Sequence, residues 1–380
     1  LVFISLFSIF IFGQNQGGYS LIDKKITLIP KEYNTSTAAI AKYINANFKT
    51  ENDKIRAVFY WTSSNISYDV KNMFAVNFDE TPQDRITKTL QTKKGICGDY
   101  AAIFNEIATL VGVKSVVTSG YTKQNGKIDT LSHAWCAAKI DNKWYVFDPT
   151  WGSGSLANGK FVKKINNYYF KIEPSKIISS HIPFDYLWQF LNYPVTNAEF
   201  YAGKTQIDNT KKYFDFEKEI LKQSSLSELD RLFESNVRIE KNGLKNALIL
   251  DFFDTNKKQL AYLREKENIE KLNGIVKELN DAVVLLNDFI LYRNNKFKPT
   301  FPDEDINTMI QLIKCQNDIY KVGSTGSENA ANLSSIKKSI ETNLALADEH
   351  ALFVKNYLSK SKLVRKTMFS KVSWFGVPLN

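Results

Sequence analysis

Three residues suited to covalent acyl transfer occur in a telling order: Cys97, His133 and Asp148. Cys97 stands in Gly95-Ile-Cys-Gly-Asp-Tyr-Ala-Ala-Ile-Phe104, after the polar stretch Gln91-Thr-Lys-Lys-Gly95. Apolar residues at helical spacing follow: Ala101, Phe104, Ile107, Ala108 and Val111. This places Cys97 in the first turn of a buried helix, where free backbone N–H groups and the helix dipole favour the nucleophilic thiolate. A lone cysteine is more often a buried apolar residue, so the assignment needs partners. Ser132 to Ile140 reads as a strand with His133 near its start. Asp141-Asn142-Lys143 reads as a turn, and Trp144 to Asp148 as a second strand stopped by Pro149. His133 and Asp148 then lie on paired strands at similar distances from the turn, able to meet on one face. Nucleophile, base and orienting carboxylate are the elements of a catalytic triad.

The words around these residues resemble the transglutaminase-like superfamily of papain-type fold, in its kyphoscoliosis-peptidase branch. The matching strings are GICGDYAAIFNEIATLVGV and HAWCAAKIDNKWYVFDPTWG, with AVFYWTSSNISYD upstream and SSHIPFDYLWQFLNYPVTNAEF downstream. The resemblance spans roughly Asn34 to Tyr201. It implies an α+β papain/transglutaminase-like domain, with the cysteine at a helix start and the His and Asp on an antiparallel sheet. It also implies a thiol acyl-transfer reaction, and it puts the pair Tyr68-Asp69 close to the cleft, where a helix-terminal cap is the other role that fits. Papain-like enzymes use a Gln shortly before the nucleophile, which makes Gln91 a candidate second oxyanion donor beside the Cys97 N–H; a surface Gln fits equally. Trp151, in the turn after Asp148, suits the floor of a substrate groove or an aromatic plug over the core.

Other residues are assigned away from the chemistry. Cys136 lies three positions after His133, on the opposite face of the strand, and belongs in the core. Cys315 sits in a helical pattern and reads as core. His181 has Asp185 nearby but no second His in the local sequence, so it is taken as a packing or capping residue outside the triad, and no metal site is expected. No cofactor is expected: the chain has no EF-hand-like acidic loop.

The 380 residues exceed one typical domain. A hydrophobic content of 43% and a charged content of 24% are ordinary for a globular chain. The net charge of +10 is spread without a dense basic block, and nucleic-acid motifs are absent. Residues 1–13 (LVFISLFSIFIFG) are too short to span a membrane and have the shape of the apolar part of a secretory signal peptide. The expected location is secreted or periplasmic, the expected partner a protein or peptide substrate, including one of the cell envelope. Residues 14–33 read as a linker with an edge strand over Leu21–Pro30, and residues 34–203 as the catalytic domain. Residues 204–380 read as an all-α bundle. Its two apolar stripes are Ile269, Leu272, Val276, Leu279, Val283, Leu286, Ile290 and Leu333, Ile336, Ile340, Leu344, Ala347, Ala351, Val354, Leu358. An antiparallel arrangement is expected, with a protein-binding role open to these helices. Three functions therefore fit. The leading one is an exported cysteine protease or amidase; the others are a protein-glutamine transglutaminase and a non-catalytic interaction module on the same scaffold.

Overall fold

The computed structural model describes residues 18–73, 80–312 and 327–369, with short strands at 373–374 and 377–378. Cys315 and residues 1–13 lie outside the described residues. The chain forms two compact units divided between Lys257 and Lys258.

The first unit begins with a helix where an edge strand was expected. Helix α1 (Ser20–Thr27) buries Ile22 and Ile26, an i, i+4 pair. Its Asp23 accepts two bonds, at 2.8 and 2.6 Å, from Arg56, which is fully buried on α3. Helices α2 (Thr37–Asn47) and α3 (Glu51–Asn65) are capped by Ser36 and Thr50, each accepting from the backbone three residues on. The chain leaves α3 as a short strand, β1 (Ser67–Tyr68), rather than ending the helix at Tyr68. Helix α4 (Pro82–Thr92) opens with a capping box between Thr81 and Asp84 and ends at Lys93 in the left-handed region. Strand β2 (Lys94–Gly95) then pairs in parallel with β1, setting Tyr68 opposite Gly95. Helix α5 (Cys97–Leu110) follows directly.

Strands β3 (Ser115–Gln124), β4 (Lys127–Ile140) and β5 (Lys143–Phe147) form two consecutive hairpins. Their turns, Asn125-Gly126 and Asp141-Asn142, have the paired positive φ values of tight hairpin turns. A small hairpin, β6 (Gly154–Ala157) with β7 (Lys160–Lys163), comes next. Residues Asn167–Tyr169 form a 3-10 turn. After α6 (Pro174–Ile177), strand β8 (His181–Pro183) returns to pair with β3, so the sheet order is β5-β4-β3-β8. One face of β4, with Cys136, Ala138 and Ile140, packs on α5. The other, with Trp135 and Ala137, packs on Trp144, Leu187 and Ile220.

The composition does turn helical at Lys204, but the compact unit continues to Lys257. Helices α7 (Asn197–Tyr201), α8 (Phe216–Gln223), α9 (Glu228–Asn242) and the start of α10 (Ala247–Asn294) explain the difference. Ile220 joins the core beneath Trp144, and Ile239 and Ile249 join Tyr121, Ile182 and Phe184. Arg238 of α9 donates to both oxygens of Asp185, at 2.7 and 2.8 Å, in a buried bidentate pair.

In the second unit the two predicted stripes meet each other. Leu272 and Leu279 of α10 cluster with Ile340 of α12 (Ser327–Leu358), and Leu286 and Phe289 with Ala347 and Val354. Residue numbers rise together along both helices, so α10 and α12 run parallel, not antiparallel. The break at 295–302 supplies the reversal: α11 (Asp303–Leu312) packs beside α12, and Asp303 pairs with Arg365 of α13 (Lys362–Thr367), near the end of α12. Strands β9 (Ser373–Trp374) and β10 (Val377–Pro378) pair near the C-terminus.

A fragment of residues 18–257 should melt cooperatively. A fragment of residues 18–203 should not, because it uncovers the apolar surfaces that Ile220, Ile239 and Ile249 bury. Calorimetry of the two fragments checks this; a sharp transition in the shorter one would restore the boundary at Gly203.

Candidate active site

Asp148 follows directly from β5 and is fully buried. A buried carboxylate is costly unless N–H donors surround it, and here there are four. Oδ1 accepts from the backbone N–H groups of Thr150 (2.9 Å) and Trp151 (3.0 Å). Oδ2 lies 2.8 Å from His133 Nε2 and 3.2 Å from His181 Nε2. Pro149 fits this turn because it has no backbone N–H that would need an acceptor. The β4–β5 register, Cys136 opposite Phe147, extends to Trp135 opposite Asp148. His133 is thus a diagonal neighbour two residues on rather than directly opposite, still on the same face.

Cys97 is the first residue of α5, half-buried. As at any helix start, its backbone N–H lacks an intrahelical acceptor. Asp99 shapes this turn: its Oδ2 accepts from Ile96 N at 2.8 Å and its Oδ1 from Arg85 Nη2 at 2.6 Å. Gly95 permits the fold-back, since a Cβ there would lie 2.8 Å from Asp99 Cβ. Burial pushes the Cys97 thiol up, but a hydrogen bond to His133, the His133 charge and a bond from Ala134 N–H together bring it below the ordinary thiol value. With Nε2 facing Asp148, the His133 nitrogen left for the thiol is Nδ1.

His133 is driven the other way. Burial would lower its pKa, but the charge and hydrogen bond of Asp148, with the contribution of Cys97, raise it to about 10. Burial would raise the Asp148 carboxyl, yet the charge and bond of His133 and the bond from His181 hold it well below the usual carboxylate range. The three groups therefore shift the balance toward a thiolate beside an imidazolium. Cys136, by contrast, is fully buried on the other face of β4, bonded to Ala101 O, and its pKa is raised well above the ordinary value by burial.

The other candidates separate. Tyr68 lies near Cys97, Asp99 and Asp148: burial and the charges of these groups raise its hydroxyl to about 12. Trp151 is half-buried and its ring lies 5.4 Å from His133 and 4.6 Å from His181, between centroids. Gln91 is exposed in the last turn of α4 and does not join the described hydrogen bonds of the site. A cavity of about 640 Å³ opens beside the start of α5, its walls including Asp69, Arg85, Lys94, Gly95, Ile96 and Asp99.

His181 corrects the sequence reading, which left it outside the triad. Its partner is remote in sequence. β8 adds to β3 with His181 opposite Thr122, on the face where His133 lies opposite Gly120. Gly120 makes the close approach possible, since a Cβ there would strike Ile182 O and the Trp135 ring. The one signal available was an imidazole inside the apolar run His181-Ile-Pro-Phe184, where burial demands a partner. The argument that no second His stood near it also fails in space. His133, Asp148 and His181 bring potential ligand atoms within 4.8 Å of one another, a set that could hold a metal ion. In this structure those atoms hydrogen-bond to each other.

Residues 38–149 match the sequence model of the transglutaminase-like superfamily, so this part of the chain is a transglutaminase-like domain. The chain is similar to the kyphoscoliosis peptidase of Mus musculus, 31% identical over 156 residues, which is 39% of this chain and 23% of that protein. It is also similar to cytokinesis protein 3 of Schizosaccharomyces pombe, 25% identical over 173 residues, 43% of this chain and 19% of that protein. The chain thus spans about a quarter or less of these relatives' lengths. A solved structure of a proposed cysteine protease from Cytophaga hutchinsonii is 21% identical, over 38% of this chain and 48% of that one, with a TM-score of 0.25; a likeness at that level carries no argument.

Asp148→Asn should destabilise the protein by about 3–5 kcal/mol, because an amide NH₂ must face either two imidazole N–H groups or two backbone N–H groups. Denaturant unfolding checks this; an unchanged midpoint would mean the four bonds are not made together.

Proposed function

We propose that the chain is a thiol acyl-transfer enzyme that hydrolyses a peptide or amide bond, with Cys97, His133 and Asp148 as its triad. The observation that carries this reading is a fully buried, fully bonded Asp148 holding His133 at 2.8 Å, with the imidazole lowering the pKa of the helix-start thiol. The Cys97 thiolate attacks the carbonyl carbon, and the Cys97 N–H donates to the developing oxyanion. His133 gives its proton to the leaving amine, and a thioester remains. Water, deprotonated by the now neutral His133, attacks the thioester and releases the acid and the thiolate. Asp148 keeps His133 in the tautomer and orientation that these transfers need.

The name of the kyphoscoliosis peptidase supports hydrolysis over amine transfer. Export through residues 1–13, and a cell-envelope substrate, belong to the same proposal. Among the described residues no helix is long and apolar enough to cross a membrane. The helices after Lys257 are proposed to bind a protein partner.

An activity-based acyl probe should label Cys97 and spare Cys136. Cys97→Ala should abolish labelling and amide hydrolysis, and His133→Ala should lower both by orders of magnitude, on the order of 10³-fold or more. Product release only with added primary amine, in amide-linked form, would replace hydrolysis by transglutamination. Neither labelling nor turnover would favour the interaction module.

The pH profile follows from the two shifts. Below the lowered Cys97 pKa the thiolate is lost; above the raised His133 pKa the leaving amine has no proton donor. Hydrolysis should be bell-shaped, with its acid limb below the ordinary thiol range and its alkaline limb well above that of a free imidazole. Initial rates across pH check it; an alkaline limb near 6.5 would contradict the Asp148–His133 coupling.

A further inference from the structure

The contact of His181 with Asp148 duplicates, in kind, the contact that defines the triad. Both imidazoles approach the same oxygen through Nε2, at 2.8 Å for His133 and 3.2 Å for His181. The other oxygen is already occupied by the amides of Thr150 and Trp151. His181 is 1% exposed, with its ring edge-on to Trp135 at 5.1 Å and against Trp151 at 4.6 Å. Its backbone is clamped by the pairing with Thr122. The titratable groups facing it are Asp148 beyond β5, His133 and Asp129 on β4, and Tyr169.

We propose that His181 is a positioning residue of this site: its Nε2–H holds Asp148 Oδ2 in place and shares that oxygen with His133, tempering the carboxylate's pull on the His133 proton. A carboxylate can only accept, so Nε2 of His181 carries the hydrogen. The neutral ring then leaves Nδ1 bare, and Ser180 Oγ, 2.9 Å away, can donate to it in place of its longer bond, at 3.2 Å, to Ile177 O. A second imidazolium would face that of His133 across a ring separation of 5.7 Å, with one carboxylate for two charges. His181 is therefore a donor without charge. A Lys or Arg in its place would neutralise Asp148. An apolar residue would leave Oδ2 to His133 alone, tightening that bond and making the imidazolium a weaker acid toward the leaving amine.

This inference rests on the thiol-enzyme reading but is tested apart from it. The chain has three histidines, so ring-labelled protein gives a resolvable NMR titration. In wild type, nitrogen shifts should show His181 as the neutral Nε2–H tautomer across the range in which His133 is charged. His181→Phe keeps an aromatic ring at the position and removes the donor. It should move the His133 Nε2–H resonance downfield and its titration midpoint upward. His181→Gln, whose amide nitrogen stands near the position of Nε2, should return both toward wild type. A bare Nε2 or a charged His181 in wild type at neutral pH would overturn the proposal without any variant. So would a folded His181→Phe protein with an unmoved His133 resonance and midpoint, which would leave His181 a packing residue. Alkylation of Cys97 relative to Cys136 in wild type, measured alongside, decides the thiol-enzyme reading independently.

Discussion

The buried carboxylate of Asp148 is the constraint to which the first unit is built. Removing such a charge from water costs several kcal/mol, even after relaxation, unless donors converge on it. Four do, from three separate places: the turn that follows it, β4 and β8. The turn must therefore close tightly, and Gly152 N returns to Asp148 O at 2.8 Å. It must also be held in place. Ser63 of α3 donates to Pro149 O, and Ser153 bonds to Tyr100 of α5. Satisfying one carboxylate fixes the end of β5 against two helices and two strands, among them the elements that carry Cys97 and His133.

The same economy orders the periphery. β8 brings His181 to the site only if its far end is secured, and Asp185, four residues on, is gripped by Arg238 of α9. Helix α9 is therefore part of the scaffold of the site, which accounts for the first unit extending well past Gly203. On the other side, Asp99 links Ile96 N and Arg85, so α4 sets the angle at which α5 presents Cys97. Both Asp99 and Asp185 are carboxylates that spend their charge on geometry.

Local pattern made much of this legible. The hairpin through Asp141-Asn142, the helix beginning at Cys97, and the core position of Cys136 follow from turn chemistry, helical spacing and strand alternation. The apolar stripes of α10 and α12 were legible as stripes, because periodicity reports which face is buried. Their relative direction was not, since periodicity is the same read from either end. Helix α1 was missed because its helical signal is short and its stability comes from a tertiary pair, Asp23 with Arg56. His181 was missed for the same kind of reason. Its role depends on β8 adding to β3, a pairing across some sixty residues that no local spacing encodes. Gln91 shows the converse: proximity in sequence to Cys97 does not bring an exposed side chain at the end of α4 into the hydrogen bonds of the site.

The central claim is that Asp148 and His133 favour the thiolate of Cys97. The most direct test is the ultraviolet thiolate absorbance of wild type minus Cys97→Ala, followed across pH. The account predicts ionisation of Cys97 below the ordinary thiol range, moving up toward that range in His133→Ala. Ionisation of Cys97 near 8.5 in wild type, unchanged in His133→Ala, would contradict it.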